Sequence, residues 1–389
     1  AMKMDHDVVV IGAGIHGAGV AQAVAAAGRR VLVLERTAPA SGTSSRSSKL
    51  IHGGLRYLES GQFRLVRESL LERERLLRIA PGLVKRIPIH IPIYRGNRRR
   101  QAWIAAGLSL YALLAGGREH SRFRRLARRQ FNDLDRLNTE DLQTVFQYHD
   151  AQTDDAALTR AVLDSATRYG AELRFPARFD GATRTEIGYV VRYRDERRDH
   201  VCQTRALVNA AGPWANEVLA AIQHAHPPEP VELVQGTHIV LEGELTRGGY
   251  YLEAARDGRA VFALPWQGAT LVGTTETPYR GDPSDVRPLP EEIDYLLGVF
   301  RHYFPARQAK VLASFAGLRV LPVGDRHGFH RPRDTVLRTD HDDVARLVSI
   351  YGGKLTGYRL TARRVLDRLA PVLDLNEPLP DTAAIPLPP

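Results

Sequence analysis

Asp7-Val-Val-Val-Ile-Gly-Ala-Gly-Ile-His-Gly17 is the stretch on which the reading of this chain turns. Asp7–Ile11 is a short apolar run, β-branched after its first residue, and predicts a buried parallel strand. Gly12 then permits a tight turn, Gly14 lets backbone amides approach a pyrophosphate, and Gly17 lets the following helix pack close to the strand. Ala18–Ala27 is alanine-rich and helix-favouring, with Gly28 as its C-cap. The helix N-terminus would turn its positive dipole end toward phosphates. A second strand, Val31–Leu34, ends on Glu35, where a carboxylate can bind both ribose hydroxyls. Strand, glycine turn, helix, strand and acid in register point to dinucleotide binding, against a loop that merely needs glycine turns. Glu35 would repel a 2′-phosphate, which disfavours NADP. The unit leaves FAD and NAD open.

Outside this unit the composition is that of a globular protein. The 389 residues are 43% apolar and 25% charged, enough for two or three domains and a large core. A single cysteine, Cys202, excludes an intrachain disulfide and any cysteine-built zinc or iron–sulfur site, and no metal site is expected. The net charge of +10 comes almost wholly from arginine, since only Lys3, Lys49, Lys85, Lys310 and Lys354 are lysines. Such a surface attracts nucleic acid, anionic membrane or acidic small molecules; an arginine-rich genome gives the same count. No apolar run reaches the ~18 residues of a spanning helix. The N-terminus lacks the succession of a signal peptide. A cytoplasmic location is expected.

Ser41–Glu59 is a small-residue loop, Ser-Gly-Thr-Ser-Ser-Arg-Ser-Ser-Lys-Leu-Ile-His-Gly-Gly-Leu-Arg-Tyr-Leu-Glu. Its hydroxyls and amides can wrap phosphate and ribityl groups. At this segment the chain closely resembles the FAD-dependent glycerol-3-phosphate dehydrogenases, within the D-amino-acid-oxidase-like flavoproteins. Further matches follow in family order: Tyr148–Leu158, Val208–Trp214, Gln235–Val240, Val272–Glu276, Phe315–Leu321 and Tyr351–Arg359. The similarity covers roughly residues 5 to 370.

The resemblance implies FAD as cofactor and sn-glycerol 3-phosphate as donor, oxidised to dihydroxyacetone phosphate by hydride transfer to flavin N5. Electrons would pass on to quinone or another acceptor. The ADP half would lie on Gly12, Gly14, Gly17 and Glu35. Thr43, Ser44, Ser45 and Lys49 would follow the pyrophosphate and ribityl chain. Gly352, Gly353, Lys354, Leu355 and Thr356 would approach the flavin pyrimidine edge, where a helix N-terminus favours negative charge. A phosphate dianion needs several fixed cations, and arginine supplies paired hydrogen bonds. The matching positions are Arg56, Arg319 and Arg333, with Lys354 as a fourth cation. For the proton, His238 is favoured and His52 competes; Lys354 in a cationic cluster is a further acceptor. Tyr57 would donate to substrate, and Thr275 would line the pocket or simply pack in its strand.

There are departures. Family members usually continue into a C-terminal helical domain, whereas this sequence stops at Pro389. Glu276 stands where aspartate is usual, Leu318 and Val320 replace valine and proline around Arg319, and Gly357 replaces threonine.

The expected fold class is α/β: an FAD-binding Rossmann-like domain with a discontinuous substrate domain built on an antiparallel sheet. Residues 1–82, 150–228 and 312–372 form the first, 83–149 and 229–311 the second, and 373–389 a proline-rich tail. Phe63–Ile79 predicts an amphipathic helix. Pro88 and Pro92 confine the strand Ile87–Tyr94 to a sheet edge. Trp266-Gln-Gly268 predicts a hairpin turn. Ala102–Ala115 is apolar and flanked by Arg98, Arg99 and Arg100 and by Arg118, Arg122, Arg124, Arg125, Arg128 and Arg129. It reads either as a helix lying on an anionic membrane, the inner face of the cell membrane, or as a buried helix between solvated charges. Two readings compete with the main one. The first is a flavin oxidase or dehydrogenase of another anionic hydroxy or amino acid. The second is a basic binding protein that keeps the domain as scaffold; since the arginines do not interleave with exposed aromatics, no nucleic-acid partner is expected.

Overall fold

The computed structural model describes residues 4–323 and 335–389. The strand His6–Ile11 lies between Val31–Leu34 and Asp199–Asn209 and runs parallel to both. Leu347–Tyr351 and Glu172–Arg174 extend the parallel set on either side. Val8, Val9 and Val10 have no exposed surface, as expected of a strand covered on both faces. Helix α1 (Ile15–Ala26) crosses the sheet and is buried along most of its length between the helices Asp155–Arg168 and Tyr358–Leu373. Alanines and glycines on α1 permit that close approach on two sides.

The second sheet is mixed, mostly antiparallel. Val231–Leu241 pairs along its whole length with Val311–Pro322, and Val84–Tyr94 with Leu142–Thr153. The helix Pro290–Tyr303 seals one part of it through Leu296, Val299 and Phe300 against Ile239, Leu241 and Val272. Helices α2 (Phe63–Ile79) and α3 (Gln101–Leu114) seal another, with Val66, Leu70, Ile104 and Leu108 against Ile87, Ile89, Ile91 and Phe146. Gln267 and Gly268 both take positive φ at the expected hairpin turn, between Ala260–Trp266 and Ala269–Gly273.

Two expectations need correction. The strand Val84–Tyr94 is not an edge: it also pairs with Gly249–Glu253. That second pairing involves only Ile89 and His90, in the gap between Pro88 and Pro92, so neither missing N–H is called upon. Val311–Pro322 belongs to the second sheet, so the chain returns to the first sheet later than residue 312, at Val336–Thr339. The proline-rich tail is packed against the rest of the protein. Leu379, Ala383 and Leu387 are buried, Arg359 donates to Asp381, and the Leu387 N–H donates to the Ile79 carbonyl.

Candidate functional site

One cavity of about 750 Å³ runs between the two sheets. It starts at the carboxyl ends of the parallel strands, where Ile11, Leu34, Ala210 and Ile350 line it, and ends against the second sheet at His238, Gly317 and Arg319. Ligands of open parallel sheets bind in this crevice.

The first half is built by the glycine turn. Gly12 has φ of 106°, and a Cβ there would lie 2.3 Å from the Ala210 carbonyl oxygen. A Cβ on Gly17 would lie 1.9 Å from the Gly12 carbonyl oxygen, so α1 can leave the strand at this angle only with glycine at both positions. Glu35 Oε2 accepts from the Ala13 N–H at 2.9 Å and Oε1 from the Thr37 N–H at 3.0 Å. The carboxylate is thus fixed at the end of its strand and lines the cavity. Ser44 Oγ accepts from the Ile15 N–H at 2.9 Å, satisfying one of the free amides that open α1. Thr43 lines the same wall and its hydroxyl donates to the Leu318 carbonyl, tying the loop to the second sheet. Gly352, Gly353, Lys354, Leu355 and Thr356 form the opposite wall.

The second half is cationic. Arg56, on the short helical turn Leu55–Leu58, and Arg319, on Val311–Pro322, both line the cavity. They converge on Glu276 Oε1, at 3.0 and 3.1 Å, and Arg259 holds Oε2 at 2.9 Å. Glu276 and Arg259 are not among the lining residues, so the carboxylate backs the arginines. Lys354 Nζ lies 3.7 Å from the centre of the Tyr57 ring. His238 is buried, stacks on Phe315 and bonds Ser48 Oγ through Nε2 at 2.8 Å. Burial, then Arg319 and Lys49, bring its pKa down to about 3. His52 is held down to about 3 by burial, then Lys354, Arg73, Arg56 and Arg319. Both imidazoles are therefore neutral at pH 7, and each is a weaker base than an ordinary histidine.

Four expected residues are placed elsewhere. Lys49 is buried but does not line the cavity; its ammonium bonds Asp155 at 2.7 Å and the Ser45 carbonyl at 3.2 Å. A buried ammonium needs that carboxylate, and the positive φ of Lys49 carries it toward the start of the helix Asp155–Arg168. Ser45 turns its hydroxyl back to the Gly42 carbonyl. Thr275 is buried and donates to Glu292 at 2.8 Å while accepting from the Thr237 N–H; Thr274 takes the lining position. Gly17 serves packing alone. Arg333 lies outside the described residues.

Other lining residues carried no expected role. His16, inside the glycine turn, is brought by burial to about 4, and its Nδ1 has no hydrogen-bond partner among the described residues. Trp214 Nε1 is likewise buried without one, and Arg36 lies over the Trp214 ring at 4.3 Å. Both sit in quoted motifs, so their positions were visible although their orientation was not. Arg259 had no sequence signal.

The sequence profile of the family described as FAD dependent oxidoreductase matches residues 7–362. The chain belongs to this family, among the glycerol-3-phosphate dehydrogenases. It is 37% identical to the D-erythritol 1-phosphate dehydrogenase of Brucella abortus, over 93% of this chain and 73% of that one. It is also 37% identical to the aerobic glycerol-3-phosphate dehydrogenase of Escherichia coli, over 94% and 73%. The solved glycerol-3-phosphate dehydrogenase of Bacillus halodurans, complexed with FAD, superposes with a TM-score of 0.75 at 29% identity, covering 98% of this chain and 67% of that one. FAD is the family's cofactor, and the cavity fits it. The glycine turn puts backbone at the cavity wall, the Glu35 carboxylate lines it at the strand end, and His16 Nδ1 and Trp214 Nε1 have no hydrogen-bond partner among the described residues.

Proposed function

We propose that this flavoenzyme oxidises a short polyol monophosphate, with sn-glycerol 3-phosphate as donor and dihydroxyacetone phosphate as product. The observation that carries the reading is the convergence of Arg56, Arg319 and Lys354 at the far end of the cavity that begins at the glycine turn. Several cations suit a dianion, whereas one arginine usually suffices for a carboxylate. Arg56 and Arg319 hold the phosphate, and Tyr57 and Lys354 orient the polyol. His238 takes the hydroxyl proton at Nδ1, in the tautomer whose Nε2–H donates to Ser48 Oγ. His52 is the second candidate: burial depresses it first, and of the cations that add to this Lys354, Arg56 and Arg319 line the cavity, so a bound phosphate would offset their part and raise its basicity. When bound, FAD supplies the hydride acceptor at N5 and passes the electrons on to quinone.

A four-carbon donor is the second substrate reading, favoured by the likeness to the Brucella enzyme. For location we propose the cytoplasmic surface of the cell membrane. Among the described residues no helix is long and apolar enough to cross a membrane, and α3 presents Trp103 and Leu113, 59% and 71% exposed, amid exposed arginines. The test is anaerobic bleaching of the flavin band by sn-glycerol 3-phosphate, D-erythritol 1-phosphate, hydroxy acids and amino acids. Bleaching by either phosphate supports the reading. Bleaching only by unphosphorylated acids overturns it.

A further inference from the structure

The Gly53 N–H, in the loop that carries His52 and leads to Arg56, donates to Tyr111 Oη at 2.9 Å. Tyr111 belongs to α3, and its hydroxyl in turn donates to Asp150, whose carboxylate oxygens lie at 2.8 and 2.9 Å. Arg73, on α2, bonds Asp150 Oδ1 at 2.8 Å and the His149 carbonyl at 3.1 Å. All three side chains are almost entirely buried, Arg73 completely. None of them lines the cavity. A buried charge pair of this kind is a costly way to gain stability, and its upkeep wants a reason in specificity of conformation.

The reason lies one residue downstream. Gly54 has φ of 78°, and the turn Leu55–Leu58 that carries Arg56 and Tyr57 starts from it, with the Tyr57 N–H bonded to the Gly54 carbonyl. The peptide plane at Gly53 therefore sets the direction in which Arg56 and Tyr57 project. Packing leaves that plane little freedom on one side, since a Cβ on Gly53 would meet Leu70 at 2.6 Å and the Tyr111 ring at 2.8 Å. The hydrogen bond to the Tyr111 hydroxyl opposes rotation of the plane, with the Asp150 carboxylate behind it also acting on the Gly53 N–H.

We infer that Tyr111 is a positioning residue for the anion site: held by Asp150 and Arg73, its hydroxyl fixes the Gly53 peptide and thereby the placement of Arg56 and Tyr57. The inference rests on the proposed phosphate-binding role of Arg56. Tyr111→Phe keeps the ring and its packing and removes only the hydroxyl. Tyr94→Phe is the control, because it likewise removes a tyrosine hydroxyl that makes a hydrogen bond, to the Asn138 carbonyl, and neither residue lines the cavity.

The experiment titrates the flavin-loaded fraction of each protein with inorganic phosphate by calorimetry and then measures steady-state kinetics with sn-glycerol 3-phosphate. Expected for Tyr111→Phe is a phosphate dissociation constant at least fivefold higher and a KM raised more than kcat is lowered. The FAD-to-protein ratio and the flavin absorption band should stay as in the parent, and Tyr94→Phe should bind phosphate as the parent does. Parent-like phosphate binding by Tyr111→Phe overturns the inference alone. Failure of the parent itself to bind phosphate overturns the anion-site reading and this inference with it.

Discussion

Arg56 and Arg319 share one oxygen of Glu276, at 3.0 and 3.1 Å, although they come from a helical turn and a strand far apart in the chain. Two guanidiniums that close repel each other, and the carboxylate, with Arg259 on its other oxygen, offsets that repulsion. The proposed anion site is therefore held in place by the protein's own ion pairs. Glu276→Gln preserves length but removes the charge, so the arginines lose their common anchor. The expected outcome is a KM for sn-glycerol 3-phosphate raised about tenfold, the scale of one charge-assisted hydrogen bond, with a smaller change for Glu276→Asp. A lower KM would instead identify the carboxylate as a competitor of the substrate.

Arg319→Ala removes a fork aimed into the cavity. Hydrogen bonds to charged groups contribute about 1.5–3 kcal/mol, so KM for a phosphorylated polyol should rise by about 10- to 100-fold. Steady-state kinetics checks this, and an unchanged KM would remove Arg319 from the anion site.

Acid should destabilise the fold through three histidines. His16, His52 and His238 are held near 4, 3 and 3, below the ordinary value of 6.5, mainly by burial. Between those values the unfolded chain binds protons that the folded chain refuses. Stability is thus complete above about pH 7.5 and falls as pH drops from 6.5 toward 3, by up to about 1.4 kcal/mol per pH unit for each group. Melting temperature measured from pH 7.5 to 5 should decline, and His16→Asn should flatten the decline. A flat profile in the parent would mean these imidazoles are solvated.

The nucleotide half was legible because its constraints are contiguous. Gly12, Gly17 and Glu35 answer to one turn, one helix and one strand end, and sequence spacing alone sets their relation. The cationic half depends on strands brought together from distant segments. Resemblance could locate Arg56, Arg319 and Lys354, but nothing local announced that Arg259 joins Glu276 from the loop ahead of the strand Ala260–Trp266. Lys49 shows the opposite failure. A lysine in a serine-rich loop reads as a phosphate ligand until the fold supplies Asp155 as a buried partner. Pro88 and Pro92 misled for a related reason, since a rule about missing donors says nothing of a pairing short enough to fit between them.

Glu35 gives a test of the nucleotide half that does not depend on the substrate. Its carboxylate accepts the Ala13 and Thr37 amides and lines the cavity where the ribose is proposed to bind. Glu35→Gln should raise the FAD dissociation constant about tenfold, the scale expected from weakening charge-assisted hydrogen bonds. Recovery of flavin fluorescence on dilution measures it. Unchanged affinity would place the ribose elsewhere.

Helix α3 divides its residues by depth. Ile104, Leu108 and Tyr111 are buried against the second sheet, while Trp103 and Leu113 face outward, and Arg98, Arg100, Arg118 and Arg122 are exposed beside its two ends. An apolar ridge alone would bind neutral and anionic bilayers alike. With arginines around it, each contributing about 1 kcal/mol near an anionic surface, binding should favour anionic vesicles and weaken within a Debye length of about 10 Å as salt approaches 0.1 M. Flotation with phosphatidylglycerol vesicles should therefore carry the protein at low salt, and phosphatidylcholine vesicles should carry far less. Trp103→Asp together with Leu113→Asp should abolish flotation while leaving anaerobic flavin bleaching by substrate intact, because neither residue lines the cavity. Equal partition onto both lipids would assign the arginines to solubility alone, and retention by the double variant would move the contact to another face.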